Sequence, residues 1–407
     1  MGRCYLGVDW GDQTHQVCAV DEVGAKVAEM TVEQSAREMS EFGRWLDERR
    51  AEGIELWAAI ERPEGRIVDF LLDHGVKVYP INPKALDRAR DRFRQSRSKS
   101  DPFDAWVLAE FLRTDHGHLR VLLPNSEKAQ ELKILTRDYH RLVRQKTRLL
   151  NQLTITLKEY YPRALDLFGD LSHQSALDFL KEYPTPQALT DVSRKQWERF
   201  ARAHALSKAR TEELWKTIKE PQLPMPEHVV RAKAWLVEAL VEQLQPLARN
   251  VARYEKEVER FFASLPAAEL TKKLPGGRSG TTIPALWAEL GDAKGRWESF
   301  RHLQAQAGTV PVTKKSGKSH SVQFRFSCNK HLRYQAYLLA FVSLRQSEWA
   351  RAYYDKQRAR GHGHHQALRA LGAKWLKIIF VIWRDQLPYD ENYHLANMAR
   401  QQLRQAA

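Results

Sequence analysis

Over the first 125 positions, apolar residues come in short runs broken by polar turns. Tyr5-Leu6-Gly7-Val8 reads as a strand, and positions 16–20 resume it after the turn-forming Gly11-Asp12-Gln13-Thr14. A third strand is predicted near 26–32. Met39, Phe42, Trp45 and Leu46 recur at helical spacing within 35–50. Positions 56–60 are apolar throughout, as a strand buried on both faces requires, and Glu61 ends the run. The pattern then predicts a short helix at 67–72, a strand at 76–81 and a helix at 83–93. A last helix at 102–113 has Phe103, Val107, Leu108 and Phe111 on its apolar face. A three-strand meander followed by strands alternating with helices is the order of an α/β, ribonuclease-H-like fold.

The rhythm changes after residue 125. Leu132, Leu135, Tyr139, Leu142, Leu149, Leu153 and Tyr160 advance by helical steps, interrupted at Lys146 and Thr156. Val230, Val237, Leu244, Val251, Val258 and Leu265 recur every seven residues, and Leu240, Leu247, Tyr254 and Phe261 fill the second seam. Pro246 should kink or locally break that helix. The two long helices bracket a helical insert at 174–219. An antiparallel coiled coil within one chain and a dimerisation coil fit the heptads equally. From 267 onward the chain reads as a mostly α-helical unit, with helices near 300–307, 334–344, 348–357 and 366–383, a loop at 308–323 and a polar, partly helical tail from Asn392. Three segments follow: 1–125, 126–266 and 267–407.

Charge sharpens this division. The whole chain carries a net +15. Residues 267–407 hold 23 Lys+Arg against 9 Asp+Glu, a net +14, which leaves +1 for the rest. Such segregation, with Trp297, Phe324, Phe326, Tyr334, Tyr337 and Trp349 interleaved, points to a polyanion partner, DNA or RNA rather than a membrane surface. No apolar run approaches the ~18–20 residues of a membrane span. Cys4, Cys18 and Cys328 are too few and too scattered for a disulfide framework or a zinc knuckle. The N-terminus lacks a secretory pattern, so a reducing cytoplasm is the expected compartment.

Four carboxylates carry the candidate chemistry. Asp9 follows the first strand and Glu61 the fourth, while Asp101 and Asp104 share one face at a helix start. Converging carboxylates are what magnesium requires. The competing reading of the last pair is a helix cap, with Pro102 at the first helical position, Asp101 as N-cap and Asp104 at N3. Arg92, Arg94, Arg97 and Lys99 stand just before them, as suits an approaching phosphate backbone. Far downstream, Ser316 sits among Lys314, Lys315 and Lys318, followed by Arg325, Lys330 and Arg333. The lysines could hold a phosphate and stabilise developing charge. No hydrolase motif surrounds the serine, so a phosphate-contacting role competes with a nucleophilic one, and Ser319 and Ser321 are equally eligible. His362-Gly363-His364-His365 lacks acid or cysteine partners at ligand spacing and reads as a helix start touching nucleic acid.

Three stretches together resemble the transposases of the insertion-sequence one-ten family, the DEDD transposases, which are related to Piv-type DNA invertases. They are Leu6-Gly7-Val8-Asp9 through His15, then Val78-Tyr79-Pro80-Ile81-Asn82-Pro83 leading to Lys99-Ser100-Asp101-Pro102-Phe103-Asp104-Ala105, and Ala307-Gly308 to Ser316-Gly317-Lys318. The resemblance implies a RuvC-like N-terminal domain whose Asp9, Glu61, Asp101 and Asp104 bind Mg2+. It implies that Ser316 forms a covalent phosphoserine link to DNA, and that a bridge RNA guides the pairing of donor and target DNA. It also implies dimers joining into tetramers, with one chain's acids completing another's serine site. The family often has Gly-Ile-Gly-Pro where this chain has Gly276-Gly277-Arg278-Ser279-Gly280.

The expectation is therefore an RNA-guided, magnesium-dependent DNA recombinase. A ribonuclease-H-like nuclease or junction resolvase using water is the alternative enzyme. A DNA-binding architectural protein with a decayed site is the alternative outside enzymes.

Overall fold

A computed structural model describes residues 2–93, 100–222, 224–317 and 319–406. The chain divides into two compact units, Met1–Pro124 and Asn125–Ala407.

The first unit is α/β. Its strands are β1 (Arg3–Trp10), β2 (Thr14–Val20), β3 (Lys26–Glu33), β4 (Glu55–Ile60) and β5 (Lys77–Pro80), and its helices are α1 (Ala36–Ala51), α2 (Arg66–Asp73), α3 (Pro83–Phe93) and α4 (Asp101–Asp115). The sheet order is β3-β2-β1-β4-β5. The meander pairs antiparallel, and β4 and β5 are added parallel to β1. Period-two alternation splits each central strand between two cores. Leu6, Val8, Leu56, Ala58 and Ile60 pack with Phe42, Leu46 and Ile67, while Tyr5, Trp57 and Ala59 pack with Ala105, Leu108 and Leu112. The sheet is thus covered on both faces, which accounts for the unbroken apolar run of β4.

Gly7 lies where α4 crosses β1. A Cβ there would stand 1.8 Å from the Ala105 carbonyl oxygen and 2.6 Å from the Ala109 nitrogen. Only glycine lets the helix backbone come this close, and that approach brings the start of α4 to the strand that carries Asp9.

The second unit is mostly helical. The long helices α5 (Glu127–Tyr160) and α11 (Glu227–Ala263) run along each other and bracket α6 (Arg163–Leu167), α7 (Gln174–Glu182), α8 (Pro186–Thr190), α9 (Arg194–Ala203) and α10 (Lys208–Lys219). Val237, Leu240, Leu244, Leu247 and Val251 of the heptad seams are buried with Leu149, Leu153, Leu157, Tyr160 and Trp197. Helix α11 continues through Pro246, so the proline costs a backbone hydrogen bond without ending the helix. Beyond it come α12 (Ala267–Thr271), α13 (Thr282–Leu290), α14 (Phe300–Gln306), β6 (Val312–Ser316), β7 (Ser319–Gln323), α15 (Lys330–Gln346), α16 (Glu348–Ala359), α17 (His364–Asp385) and α18 (Glu391–Ala406). Leu286, Trp287, Leu339, Leu371, Trp375 and Ile379 form their core, joined by Leu132 of α5 and Phe262 of α11. Among the described residues no helix is long and apolar enough to cross a membrane.

The expected loop at 308–323 is instead a β-hairpin. Lys314 pairs with Ser321, Lys315 with His320, and Ser316 with Ser319. The strands have little apolar alternation to announce them, and Gly317, directly after β6, takes φ +52°, a conformation that glycine adopts without strain.

Candidate functional site: an acidic sheet edge and a serine hairpin

The first unit brings the predicted acids to one region. Val8 of β1 pairs with Ile60 of the parallel β4. Asp9 and Glu61 therefore follow neighbouring register positions at the same end of adjacent strands. Asp9 is still within β1, opposite Gln16 of β2.

At the start of α4 the expected cap is shifted by one residue. Ser100, in extended backbone, is the N-cap and Asp101 is the first helical residue, so Asp104 closes the first turn at the fourth helical position rather than at N3. Pro102 still occupies the first turn, where its missing N–H costs nothing. Asp101 is exposed, whereas Asp104 is completely buried.

A buried carboxylate needs a partner, and Arg90 of α3 supplies one. Its Nε donates to Asp104 Oδ1 at 2.6 Å and its Nη2 to Oδ2 at 2.9 Å. Its Nη1 donates to Asp87 at 2.5 Å. Burial works against the Arg90 charge, but Asp104, then Asp87 and Glu61, outweigh it and push the guanidinium pKa up. Arg90 was not singled out by sequence; its one signal is a helical arginine three residues after Asp87.

Four carboxylate groups have the right chemistry for a hard divalent cation. Their present arrangement is not a metal cradle: among the described residues no three acid, histidine or cysteine side chains are grouped to hold a metal ion. Both Asp104 oxygens are engaged by Arg90, which provides the positive charge that a cation would otherwise bring.

The serine lies in the second unit. Ser316 is exposed at the tip of the β6–β7 hairpin. Alternation puts Lys314 on the same face as Ser316 and sends Lys315, with its partner His320, to the other. His320 is therefore not positioned as a base for Ser316, and among the described lysines of the hairpin Lys314 is the one on the same face as the serine. Arg94, Arg97, Lys99 and Lys318 lie outside the described residues.

The far end of the hairpin is anchored by a buried polar network. Asn329 caps α15 by accepting from the Leu332 amide at 3.0 Å, and its Nδ2 donates to Glu289 at 2.7 Å. Arg137 of α5 holds both Glu289 oxygens, at 2.8 and 3.1 Å. Lys330 begins α15 and is exposed, while Arg333 turns back to donate to the Arg325 carbonyl. Arg325 Nε in turn donates to the Val310 carbonyl at 3.4 Å.

Burial pushes the Glu289 carboxyl up, but Arg137 and Asn329 outweigh it and hold its pKa below the ordinary range. A carboxylate depressed in the folded state adds stability that is complete above its unfolded pKa of about 4.3. That stability is lost as pH falls through the lower folded value. Thermal unfolding of the second unit should therefore weaken more steeply below about pH 4.3 in the wild type than in Glu289→Gln. Equal slopes would show that the network carries no such dependence.

The histidine cluster is tied down locally. His362 Nδ1 bonds Gln357, His364 Nδ1 bonds the Tyr354 hydroxyl at 2.7 Å, and His365 Nδ1 bonds the Tyr337 hydroxyl at 3.2 Å.

The acidic edge and the serine hairpin both fall within matches to known proteins. Residues 6–162 match a DEDD-type family model described as a transposase, and residues 269–355 match the model of the transposase IS116/IS110/IS902 family. The chain is 32% identical over 403 residues to the IS117 mini-circle protein of Streptomyces coelicolor, covering 95% of each chain. The chain belongs to the IS110 family of transposases. Among its relatives, the IS110 43.6 kDa protein of Streptomyces coelicolor is 26% identical over 95% of each chain. The IS900 42 kDa protein of Mycobacterium paratuberculosis is 25% identical over 95% of this chain and 96% of its own. As a transposase the chain acts on DNA. The acidic edge lies inside the first matched segment and the Ser316 hairpin inside the second.

Proposed function

We propose that this transposase cuts and rejoins DNA through a covalent phosphoserine link at Ser316. The observation that carries the reading is an exposed serine at the tip of a cationic hairpin, with Lys314 beside it. In the cutting step the Ser316 Oγ–P bond forms as one P–O bond of the DNA breaks. The serine loses its proton and the departing DNA oxygen gains one. Rejoining reverses this, with a DNA hydroxyl attacking the phosphoserine phosphorus. Phosphodiester energy is conserved and no oxidant or reductant is needed. Lys314 offsets the charge that builds on the phosphate oxygens.

The strand order of the first unit supports a ribonuclease-H-like, RuvC-type reading of residues 1–125. Asp9, Glu61, Asp101 and Asp104 would hold Mg2+ once Arg90 releases Asp104. When bound, that ion would neutralise charge on the phosphate. Residues 126–266 would serve dimerisation and 267–407 the serine chemistry. On this reading a bridge RNA selects donor and target DNA, and dimers pair into tetramers in the cytoplasm. Acids in one unit and serine in the other suit a composite site shared between chains.

The test is a denaturing gel of the full chain with its co-purified RNA, end-labelled donor and target DNA, and magnesium. A labelled band retarded by covalently attached protein, and returned to free DNA size by protease, is the expected result. Cleaved DNA with no attached protein would favour the water-using nuclease instead.

A further inference from the structure

Two arginines converge on one phenylalanine at the foot of the hairpin. The Arg333 guanidinium carbon lies 4.5 Å from the centre of the Phe324 ring, and that of Arg369, from α17, lies 4.9 Å away. Neither arginine has a carboxylate partner among the described residues, and the Nε of Arg333 is buried without a hydrogen-bond acceptor. Burial and the Arg333 charge together depress the Arg369 pKa. Gly308 leaves the room this requires, since a Cβ there would stand 2.2 Å from Arg333 Nη2. Two guanidiniums on one aromatic ring, with the charge of Arg333 acting on Arg369 and no carboxylate partner for either among the described residues, are a site that an anion completes. Beside them Phe326 meets Phe324 edge-on, with centroids 5.0 Å apart, yet is 79% exposed. A large apolar ring so exposed next to paired guanidiniums matches an aromatic stacking platform flanked by phosphate contacts.

We infer that Phe326, with Arg333 and Arg369, binds an unstacked nucleotide of a single DNA strand, stacking its base and holding its phosphate. A duplex hides its base faces, so Phe326 engages a base only where the helix is opened. The strand β7 leads from Ser319 directly to Phe324, five residues at about 3.3 Å each. The platform therefore sits about 17 Å along the hairpin from the serine. Stacking and phosphate contact there would keep the strand open beside the reacting phosphate. The inference deepens the serine reading in that it takes the strand held to be the one Ser316 cuts.

The test is fluorescence anisotropy with the full chain, made in a Ser316→Ala background without magnesium so that no chemistry intervenes. The probes are a labelled single DNA strand, the same strand as a duplex, and an RNA strand of the same sequence. Phe326→Ala should weaken single-strand binding about 5- to 150-fold, as loss of one stacked base does. Duplex binding should change by less than about 2-fold, and Phe326→Trp should retain the single-strand affinity. Arg369→Gln should lower the slope of log affinity against log salt by about 0.7. Unchanged single-strand affinity in Phe326→Ala, equal losses on strand and duplex, or a loss confined to RNA would overturn the inference. A chain that passes these tests yet forms no covalent adduct keeps the platform and loses the serine mechanism.

Discussion

Replacing Ser316 by alanine is expected to abolish the covalent DNA–protein band and to lower strand rejoining by at least about 10³-fold, because the proposed step loses its nucleophile. The residue is exposed and its side chain is not part of a core, so folding should be untouched. Ser319 and Ser321 are the internal controls. Ser319 is paired directly across from Ser316, and Ser321 is paired with Lys314. Ser319→Ala and Ser321→Ala should each leave the adduct in place. Peptide mapping of the adduct from the wild type should place the phosphodiester remnant on Ser316. An adduct that survives Ser316→Ala and disappears in Ser321→Ala would move the nucleophile to Ser321, on the same hairpin face.

The second large effect concerns Arg90. Asp104 has no exposed surface, and Arg90 bonds both of its oxygens from a side chain that is itself only 20% exposed. Removing one partner of a buried ion pair costs about 3–5 kcal/mol, because the remaining charge is left in a poorly solvating interior. Arg90→Ala should therefore reduce the hydrogen-exchange protection of the α4 and β1 amides by about that amount, measured in the full chain. Saturating magnesium should recover part of the protection in the variant, because a cation could then reach the freed carboxylate. Wild-type protection should respond less, since Arg90 already occupies both oxygens. Protection that is unchanged by Arg90→Ala would mean that Asp104 is satisfied by its other surroundings. Protection lost but not restored by magnesium would leave the pair purely structural.

These outcomes bear on different parts of the chain. Ser316 tests whether the hairpin performs chemistry, and Arg90 tests what the acidic edge does before any ion arrives. Arg90 engages both Asp104 oxygens, and Asp87 as well, in the present arrangement. A metal ion bound at Asp104 would need Arg90 to swing away, so the arginine and the ion would compete for the same carboxylate.

The sequence by itself determined the elements whose signal is local. Strands β1 and β4 were legible because Leu6 and Val8, or Leu56, Ala58 and Ile60, fall on one core while their odd neighbours fall on the other. Helix α11 was legible because its buried residues return every seven positions over more than five turns. Asp9 and Glu61 could be placed at one sheet edge because parallel neighbours in a sheet share their ends. Tertiary structure decided what depends on partners far apart in the chain. The β6–β7 hairpin carries mostly lysine, serine and histidine, so nothing apolar alternates, and only pairing assigns Lys314 and not Lys315 to the face of Ser316. The capping reading of Asp104 followed from local spacing, but the arginine that neutralises it comes from the preceding helix, 14 residues away. Arg369 reaches Phe324 across 45 positions, and Arg137 reaches Glu289 across 152. Ion pairs and cation–aromatic contacts leave no periodic trace, because any charged side chain looks the same until the fold brings its partner within a few ångströms.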